Sequence, residues 1–261
     1  MGALLTATTP IEIREYWNLV DVISMRLSAD SIYPALLFFA GALICIVVPY
    51  LLGSINPAIL ISKIFYRDDI RRHGSGNAGT TNMLRTYGKK AAVATLLFDF
   101  GKAIIATLLG RLILGSNGEA IAGLFVGLGH MFPIYYRFKG GKGVACFAMV
   151  ALVIHPLIFL GLAAIFLIVL IGTRFVSLAS VMAAFLFPFL IKWFSPMPDS
   201  LHVAMGCIAA VFVVLMHTEN LKRIWNNEES KLDFSQFKIK RKQKNKAEPS
   251  DEKSAEDEAD E

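Results

Sequence analysis

Residues 144–173 read VACFAMVALVIHPLIFLGLAAIFLIVLIGT and contain no Asp, Glu, Lys or Arg. A helix that crosses a membrane needs about 20 mostly apolar residues, so this run is longer than one ordinary span. It predicts either one overlong span or two spans that are separated at His155-Pro156. The length of the run alone does not choose between these two interpretations.

The rest of the chain has the composition of a membrane protein. Of its 261 residues, 55% are hydrophobic, and the mean hydropathy is +0.54, well above ordinary soluble usage. We therefore expect an all-α integral membrane fold. With the run above divided in two, the candidate spans are residues 35–65, 91–114, 119–136, 144–155, 157–173, 176–193 and 201–221. The first contains Pro49 and Asn56-Pro57, so we expect it to be kinked or tilted.

The positions of the basic residues decide the number of spans. Arginine and lysine gather in residues 67–90, in residues 137–142 and after residue 221. With a break at His155-Pro156, these segments all lie on one side, and the loops of the opposite side carry no Arg or Lys. Membrane proteins keep such basic loops in the cytoplasm. The sequence thus predicts seven transmembrane helices, with the N-terminus outside and the C-terminus in the cytoplasm.

Segments of different composition flank the predicted membrane domain, which covers residues 34–225. Residues 1–33 form an N-terminal extension. From residue 226 onward the chain becomes charged and ends in a basic block followed by an acidic one, KIKRKQKNKAEPSDEKSAEDEADE. Such a composition cannot bury enough apolar area to offset its ordering entropy, so we predict a disordered cytoplasmic tail over residues 226–261.

A first polar segment, RRHGSGNAGTTNMLRTYGKK, occupies residues 71–90. Its glycines, Gly74, Gly76 and Gly79, allow positive φ and close backbone approach, so successive N–H groups can form an anion-binding concavity. Arg85 adds a planar fork that is suited to phosphate. Neutral donors accompany it: Ser75, Asn77, Thr80, Thr81 and Asn82. The alternative interpretation is a flexible surface loop that only follows the charge bias of cytoplasmic loops.

A second polar segment, GHMFPIYYRFKGGKGVA, covers residues 129–145. It is not a Walker A sequence, because that pattern needs Ser or Thr directly after the lysine. The turn Gly140-Gly141-Lys142-Gly143 leads into the helix predicted from Val144, whose first N–H groups and positive dipole end favour an anion. The alternative is a tight turn between helices with a lysine that extends to water.

A third polar segment, HTENLKR, lies at residues 217–223, at the cytoplasmic end of the last predicted span. His217 and Asn220 are three residues apart and share a helix face. On the predicted topology they reach the same membrane level as the other two segments. A histidine that only ends a helix is the alternative interpretation.

Other ionisable residues stay outside the predicted site. Asp99 and Lys102 lie three apart inside the second span, where they form either a structural ion pair or a functional pair. The five histidines and the three cysteines show no metal-ligand spacing. We therefore expect no metal and no cofactor.

The three polar segments resemble the signature motifs of the bacterial acyl-phosphate:glycerol-3-phosphate acyltransferases, the PlsY family. GSGNAGTTNMLRTYGKK resembles the first motif, GHMFPIYYRFKGGKGVA the second and HTEN the third. The resemblance runs from about Ala40 to Ile224. It implies a seven-span enzyme of the bacterial cytoplasmic (inner) membrane, with its active site facing the cytoplasm. The implied reaction moves a fatty acyl group from acyl phosphate to the 1-hydroxyl of glycerol 3-phosphate, giving lysophosphatidic acid and phosphate.

The resemblance also implies roles for individual residues. Catalytic roles are expected for Ser75, Arg85, His217 and Asn220. Substrate-binding roles are expected for Gly74, Gly76, Asn77, Thr81, Gly140, Gly141, Lys142, Gly143 and Glu219. The chain departs from many family members at Thr218, where arginine is frequent, and at Cys146, where a small or hydroxylated residue is frequent.

The residue types suit this chemistry. Both substrates carry phosphate, so one cavity needs several cationic and N–H donors. Acyl phosphate is already activated, and its transfer needs stabilisation of the oxyanion and of the leaving phosphate rather than a covalent intermediate. The proton of the attacking hydroxyl goes either to His217 or to the phosphate of the substrate itself. The His-x4-Asp signature of the other large glycerol-phosphate acyltransferase class is absent.

Two other classes of protein compete with an enzyme. A transporter for small phosphorylated anions would use the same loops for binding, but it would place charged or discontinuous segments near the bilayer midplane. A scaffold that docks soluble proteins on its tail is the third interpretation. We expect acyl phosphate, glycerol 3-phosphate and membrane lipid as partners, and no nucleic acid.

Overall fold

A computed structural model of the chain describes residues 18–25, 27, 32–195 and 200–232. All regular structure in these ranges is helical, which confirms the all-α class. The α-helices in chain order are α1 Leu19–Ser24, α2 Tyr33–Ser54, α3 Pro57–Tyr66, α4 Thr80–Tyr87, α5 Lys89–Met131, α6 Val144–Ile154, α7 Pro156–Thr173, α8 Val176–Phe194, α9 Ser200–Met216 and α10 Thr218–Trp225. Single 3-10 turns at Ile70–Arg72 and Ile134–Tyr136 lie in the connections.

The first apolar segment breaks between α2 and α3. Asn56 caps α3, because its side chain accepts a hydrogen bond from the N–H of Ile59 at 3.1 Å. Pro57 occupies the first turn, where its missing N–H costs nothing. The predicted kink is therefore present at Asn56-Pro57, whereas α2 continues through Pro49.

Helix α5 is a helical hairpin. Its backbone leaves the helical conformation near Gly115, which has a φ of 59°, in the left-handed region that favours glycine. The two arms, residues 89–113 and 116–131, pack closely against each other. A Cβ added at Gly110 would lie 2.2 Å from the carbonyl oxygen of Gly118. Only glycine permits this approach of the two backbones.

The uncharged run of residues 144–173 forms two helices. α6 ends at Ile154 and α7 begins at Pro156, and His155 between them has an extended backbone. The side chain of His155 accepts a hydrogen bond from the N–H of Leu157 at 3.3 Å and so caps α7. The break predicted at His155-Pro156 is confirmed.

Several helices are long and apolar enough to cross a membrane. Among the described residues these are 33–66, 89–136, 156–173 and 176–194, and α9 with α10 adds a fifth if this pair, bent by 53°, is one span. Large apolar side chains on these helices point outward, including Phe39 (70% exposed), Ile168 (70%) and Trp193 (82%). Such a surface suits lipid rather than water.

The main hydrophobic core lies between both arms of α5 and helices α6 to α9. Its fully buried members include Val126, Val150, Ile158 and Val213. A second cluster, around Ile59, joins α3 to α4 and holds the first polar segment in place. The two clusters position the polar segments relative to the long helices.

The N-terminal extension predicted for residues 1–33 contains α1. Val20 of this helix packs with Cys45 and Leu114, beside the turn of the α5 hairpin. The part of the extension that the structure describes therefore contacts the membrane domain.

The first residues of the predicted disordered tail, 226–232, are described by the structure. By its contacts the chain divides into residues 1–231 and 232–261. Residues 226–232 are described, and the side chain of Glu229 accepts three hydrogen bonds, so this part is held by specific contacts. The tail from residue 233 lies outside the described residues.

Candidate active site

A cavity of about 450 Å³ lies between α4 and the helices that follow it. Polar side chains from separate segments line one part of it: Ser75, Asn77, Thr80, Thr81, Asn82, Arg85, Asp99, His130, Lys142, Ser177, Ser180, His217, Asn220 and Glu229. Apolar side chains line another part: Leu96, Phe100, Phe147, Phe159, Leu162, Phe166, Phe187 and Val213. This lining suits a ligand with a charged head and an apolar chain.

The polar and apolar parts lie at different depths. Ser177 stands in the first turn of α8 and Phe187 stands ten residues further along the same helix. At 1.5 Å per residue, the two are separated by about 15 Å along the helix axis. We call these two parts the polar end and the apolar end of the cavity.

The first polar segment is folded around the buried side chain of Asn82. Its Nδ2 donates to the carbonyl oxygens of Ile70 (3.2 Å), His73 (2.9 Å) and Asn77 (3.0 Å). Its Oδ1 accepts a hydrogen bond from the N–H of Ser75 at 3.1 Å. Asn82 thus fixes the loop that presents Ser75 and Asn77 to the cavity, a role that the sequence analysis did not assign to it.

Glycines give this loop its shape. Gly74 and Gly76 have φ values of +54° and +71°, and neither lines the cavity. A Cβ added at Gly74 would lie 2.2 Å from Oδ1 of Asn82. After the loop, Thr80 begins α4, and its hydroxyl is buried with no hydrogen-bond partner among the described residues. This hydroxyl can donate to a ligand at the polar end.

Arg85 stands on α4 at the exposed rim of the polar end. Its Nη2 donates to the carbonyl oxygen of Ser230 at 3.2 Å. A guanidinium has five N–H donors in a planar fork, so this bond leaves capacity for phosphate.

The second polar segment packs on the end of α5. The N–H of Gly141 donates to the carbonyl oxygen of His130 at 3.0 Å. A Cβ added at Gly141 would lie 2.0 Å from Nε2 of His130, and one at Gly140 would lie 2.1 Å from its carbonyl oxygen. Gly140 and Gly141 therefore set the backbone position, whereas Lys142 and Gly143 line the cavity.

The Lys142 ammonium points into the polar end, where it donates to Oδ1 of Asn220. Burial lowers the pKa of Lys142 to about 8, Glu229 opposes this shift, and Arg223 and Arg85 add to it. Lys142 is therefore mostly charged at neutral pH, and it loses its charge not far above neutrality.

The third polar segment completes the polar end. Nδ1 of the buried His217 lies 2.7 Å from the carbonyl oxygen of Val213. A carbonyl can only accept, so Nδ1 carries a proton, and in the neutral ring Nε2 is then an acceptor. Asn220 shares the cavity with His217, as predicted, and its Nδ2 donates to Oε1 of Glu229 at 2.7 Å.

Glu219 lies outside the cavity. Its side chain is 70% exposed and pairs with Lys222 at 3.0 Å on the surface of α10. Consecutive residues of a helix point in directions about 100° apart, and Asn220 takes the direction of the cavity. The binding role expected for Glu219 finds no support in this geometry.

Glu229 supplies a carboxylate to the polar end instead. It accepts hydrogen bonds from Ser177 (2.8 Å), Asn220 (2.7 Å) and Arg223 (2.8 Å). Burial raises the pKa of Glu229, but these three hydrogen bonds outweigh burial and keep its pKa below the usual range. The sequence analysis assigned neither Ser177 nor Glu229 to the site, and Glu229 carries no local signal in its charged surroundings.

Asp99, Lys102 and His130 form a buried ion cluster, and Asp99 and His130 also line the cavity. Oδ1 of Asp99 lies 2.8 Å from the Lys102 ammonium and 3.1 Å from Nδ1 of His130. Asp99, His130 and Cys146 also place their ligand atoms within 4.8 Å of one another, the one such metal-type group among the described residues. The Lys102 ammonium already occupies the position of a cation there, so the cluster does not fit a metal.

The structure brings most of the predicted site residues together. Those that line the cavity are Ser75, Asn77, Thr81, Arg85, Lys142, Gly143, His217 and Asn220. Those that lie outside its lining are Gly74, Gly76, Gly140, Gly141 and Glu219. Four of these five are glycines that shape the two turns.

Comparison with known proteins identifies the family. The model of the glycerol-3-phosphate acyltransferase family matches residues 43–227, which are more than half of the chain. The chain belongs to the glycerol-3-phosphate acyltransferase family. The match contains all three polar segments.

Relatives of the same name come from several bacteria. The glycerol-3-phosphate acyltransferase of Enterococcus faecalis is 40% identical over 213 residues, which are 78% of this chain and 98% of the relative. That of Thermoanaerobacter pseudethanolicus is 38% identical over 194 residues, which are 73% of this chain and 96% of the relative. The chain thus contains nearly the full length of both relatives.

Two crystal structures of PlsY, an integral membrane glycerol 3-phosphate acyltransferase, have a similar fold. The glycerol 3-phosphate form has a TM-score of 0.70 at 33% identity and covers 75% of this chain and 98% of that chain. The lysophosphatidic acid form has a TM-score of 0.67 at 32% identity, over 75% of this chain and 97% of that chain. The resemblance to the PlsY family is confirmed, and the protein is a multi-pass membrane protein.

Proposed function

We propose that the protein transfers a fatty acyl group from acyl phosphate to the 1-hydroxyl of glycerol 3-phosphate. The products are lysophosphatidic acid and phosphate, in the first step of phospholipid synthesis. The observation that carries this proposal is the two-part cavity, which has cationic and N–H donors at one end and aromatic walls at the other. A molecule with a phosphate and an alkyl chain matches both ends. The names of the relatives agree with such a substrate.

The polar end divides the roles between binding and chemistry. Ser75, Arg85 and Lys142 bind phosphate oxygens, because charge-assisted hydrogen bonds to a partly desolvated anion are strong. Asn77 and Thr81 add neutral donors. These contacts hold the acyl carbonyl against the glycerol hydroxyl and stabilise the charge that develops on the carbonyl oxygen and on the leaving phosphate.

The transfer itself needs no covalent bond to the protein. The glycerol 1-hydroxyl oxygen attacks the acyl carbonyl, the bond from that carbon to the phosphate oxygen breaks, and inorganic phosphate leaves. The hydroxyl proton passes to a phosphate oxygen of the substrate, and His217 orients the hydroxyl through its acceptor Nε2. The same acceptor also suits the competing role, in which His217 takes the proton as general base.

We infer that the membrane domain, residues 34–225, has seven spans. The α5 hairpin turns back at Gly115 and so supplies two, and the short α6 supplies one, in addition to α2 with α3, α7, α8 and α9. The protein then lies in the inner membrane of a bacterial cell. Its basic loops and its active site face the cytoplasm, and its N-terminus lies outside. The extension of residues 1–33 and the charged tail from residue 226 flank this domain.

The topology can be tested by cysteine labelling in intact cells. Ser250→Cys should stay protected from a membrane-impermeant maleimide, whereas Ser116→Cys in the hairpin turn should react. Labelling of Ser250→Cys from outside would overturn the proposed orientation and the cytoplasmic site.

The activity can be tested with the purified protein in detergent. Radiolabelled glycerol 3-phosphate is supplied with either palmitoyl phosphate or palmitoyl-CoA, with and without a chelator. We expect lysophosphatidic acid from the acyl phosphate alone, and unchanged turnover in the chelator. Preference for acyl-CoA would contradict the proposed donor, and a chelator-sensitive rate would contradict metal-free transfer.

A further inference from the structure

We propose that the ion cluster of Asp99, Lys102 and His130 positions Lys142 in the polar end of the cavity. The inference rests on the proposed function, since it assigns positioning residues to the phosphate-binding lysine. Asp99 and Lys102 belong to the first arm of the α5 hairpin, and His130 belongs to the second. The cluster therefore joins both arms at the depth where the second polar segment begins.

The cluster fixes the orientation of the His130 ring. Asp99 and His130 are 1% and 3% exposed. Nδ1 of His130 lies 3.0 Å from the Lys102 ammonium and 3.1 Å from Oδ1 of Asp99. Lys102 also donates to the carbonyl oxygens of Gly53 (3.0 Å) and Ile55 (2.8 Å), so the end of α2 anchors it. A ring held on one edge by charged groups cannot rotate freely.

The opposite edge of the ring holds the second polar segment. A Cβ added at Gly141 would lie 2.0 Å from Nε2 of His130 and 2.9 Å from the carbonyl oxygen of Ala78. The Ala78 carbonyl is itself fixed, because it accepts a hydrogen bond from Nδ2 of Asn56 at 3.2 Å. Gly141 is thus clamped between the ring and the first polar segment. Lys142 is the next residue, so the position of the ring determines where the ammonium lies.

A cluster that only stabilises the fold would behave differently. The α5 hairpin carries a second ion pair, the half-exposed Arg111 with the buried Glu119, near its turn. Glu119 is 5% exposed, and neither residue lines the cavity. This pair controls for lost stability of the hairpin, because it shares the hairpin and does not touch the second polar segment. Asp99 and His130 line the cavity and Glu119 does not, so the labelling rate of Lys142 separates positioning from direct contact with a substrate.

Steady-state kinetics separate the two roles. Asp99→Asn and His130→Asn should raise the KM for the phosphate substrates by about 10–100-fold, because a displaced ammonium loses its charge-assisted contact with phosphate. A variant that is only less stable loses folded enzyme, which lowers the apparent kcat and leaves KM unchanged. Glu119→Gln should therefore keep the KM of the unsubstituted protein.

A second measurement does not depend on acyl transfer. Mass spectrometry gives the rate at which acetic anhydride labels the Lys142 amine in the folded protein. We expect faster labelling in Asp99→Asn and His130→Asn than in Glu119→Gln, because the ammonium is released from Asn220. If the unsubstituted protein transferred no acyl group, the proposed function would fail while this measurement would still test the positioning.

A double variant tests the contact between the ring and Gly141 directly. Gly141→Ala places a methyl group against the ring, and His130→Asn removes that ring. The effect of Gly141→Ala on KM should therefore be smaller in the His130→Asn background. Additive effects, or cluster variants that keep both the KM and the Lys142 labelling rate, would overturn the proposal.

Discussion

The polar and apolar ends of the cavity are built on different principles. At the polar end, Lys142, Asn220, Glu229 and Ser177 bind one another through directed hydrogen bonds. The apolar end consists of aromatic and aliphatic side chains, which make contacts without a preferred direction. Recognition of the phosphate head should therefore be strict, whereas selection of the acyl chain should be graded.

The largest effect is expected at His217, the residue to which the proposed function assigns the reacting hydroxyl. His217→Ala should lower kcat/KM by about 100-fold or more, since it removes the acceptor Nε2. His217→Gln should keep most of kcat and lose mainly in KM, because an amide oxygen can replace the acceptor but not a base.

Steady-state kinetics of both variants decide between orientation and base catalysis, once both are shown to be folded in detergent. Equal losses of about 10²–10⁴-fold in kcat for Ala and Gln would make His217 the base. That result would rule out proton transfer to the phosphate of the substrate.

A smaller effect is expected at Arg85, on the rim of the polar end. Arg85→Ala removes a charge-assisted contact worth about 1.5–3 kcal/mol, which corresponds to one to two orders of magnitude in kcat/KM. Arg85→Lys should not restore activity, because an ammonium lacks the planar fork.

Arg72→Ala is the matched control for Arg85. It removes an exposed arginine that precedes the same loop and does not line the cavity. Equal losses in Arg72→Ala and Arg85→Ala would show that the loop acts only through its net charge, and the strict geometry of the polar end would be refuted.

The pH profile tests the charge of Lys142. Burial lowers the pKa of Lys142 to about 8, so the charged form, which the proposed function requires for phosphate, is present below that pH and is lost above it. The kcat/KM of the free enzyme should fall about tenfold per pH unit beyond pH 8. Lys142→Arg should lack this alkaline limb, because arginine stays charged. A limb that persists in Lys142→Arg would assign the titration to another group.

The smallest effect is expected at the apolar end. Ala210→Leu adds bulk to the cavity wall and should shift the preference toward shorter acyl phosphates, by about fourfold in kcat/KM for each methylene excluded. Ala204→Leu, on the exposed side of α9, is the control and should change nothing. An abrupt, all-or-none loss with chain length would contradict the graded selection expected here.

The sequence predicted the long apolar helices and two of their breaks because local signals mark them. Each of the pairs Asn56-Pro57 and His155-Pro156 consists of a capping residue and a proline. Such a pair ends one helix and begins the next, whatever the helices later pack against. The convergence of the three polar segments could also be predicted from the sequence, since the positive-inside rule places basic loops on one side of the membrane. The rule says nothing of which side chains meet there.

The residues that sequence reasoning missed depend on contacts between distant parts of the chain. Glu229 lies in a charged stretch typical of a disordered tail, and its partner Ser177 is 52 residues away. Asp99 and Lys102 could be placed on one helix face, but His130 joins them only because the hairpin turns at Gly115. Glu219 and Asn220 are neighbours, and the rotation of α10 decides which of them faces the cavity.

The hydrogen bonds of Glu229 change how the end of the protein should be shortened. A truncation at residue 225, where composition suggests that the folded domain stops, would delete Glu229 and the Ser230 carbonyl that Arg85 contacts. Ser177, Asn220 and Arg223 would then lose their common acceptor. A stop after Leu232 would spare all of these groups. Glu229, beyond the last helix, thus forms part of the cavity wall. We expect a protease that cuts the tail before Glu229 to lower the activity without cutting any helix.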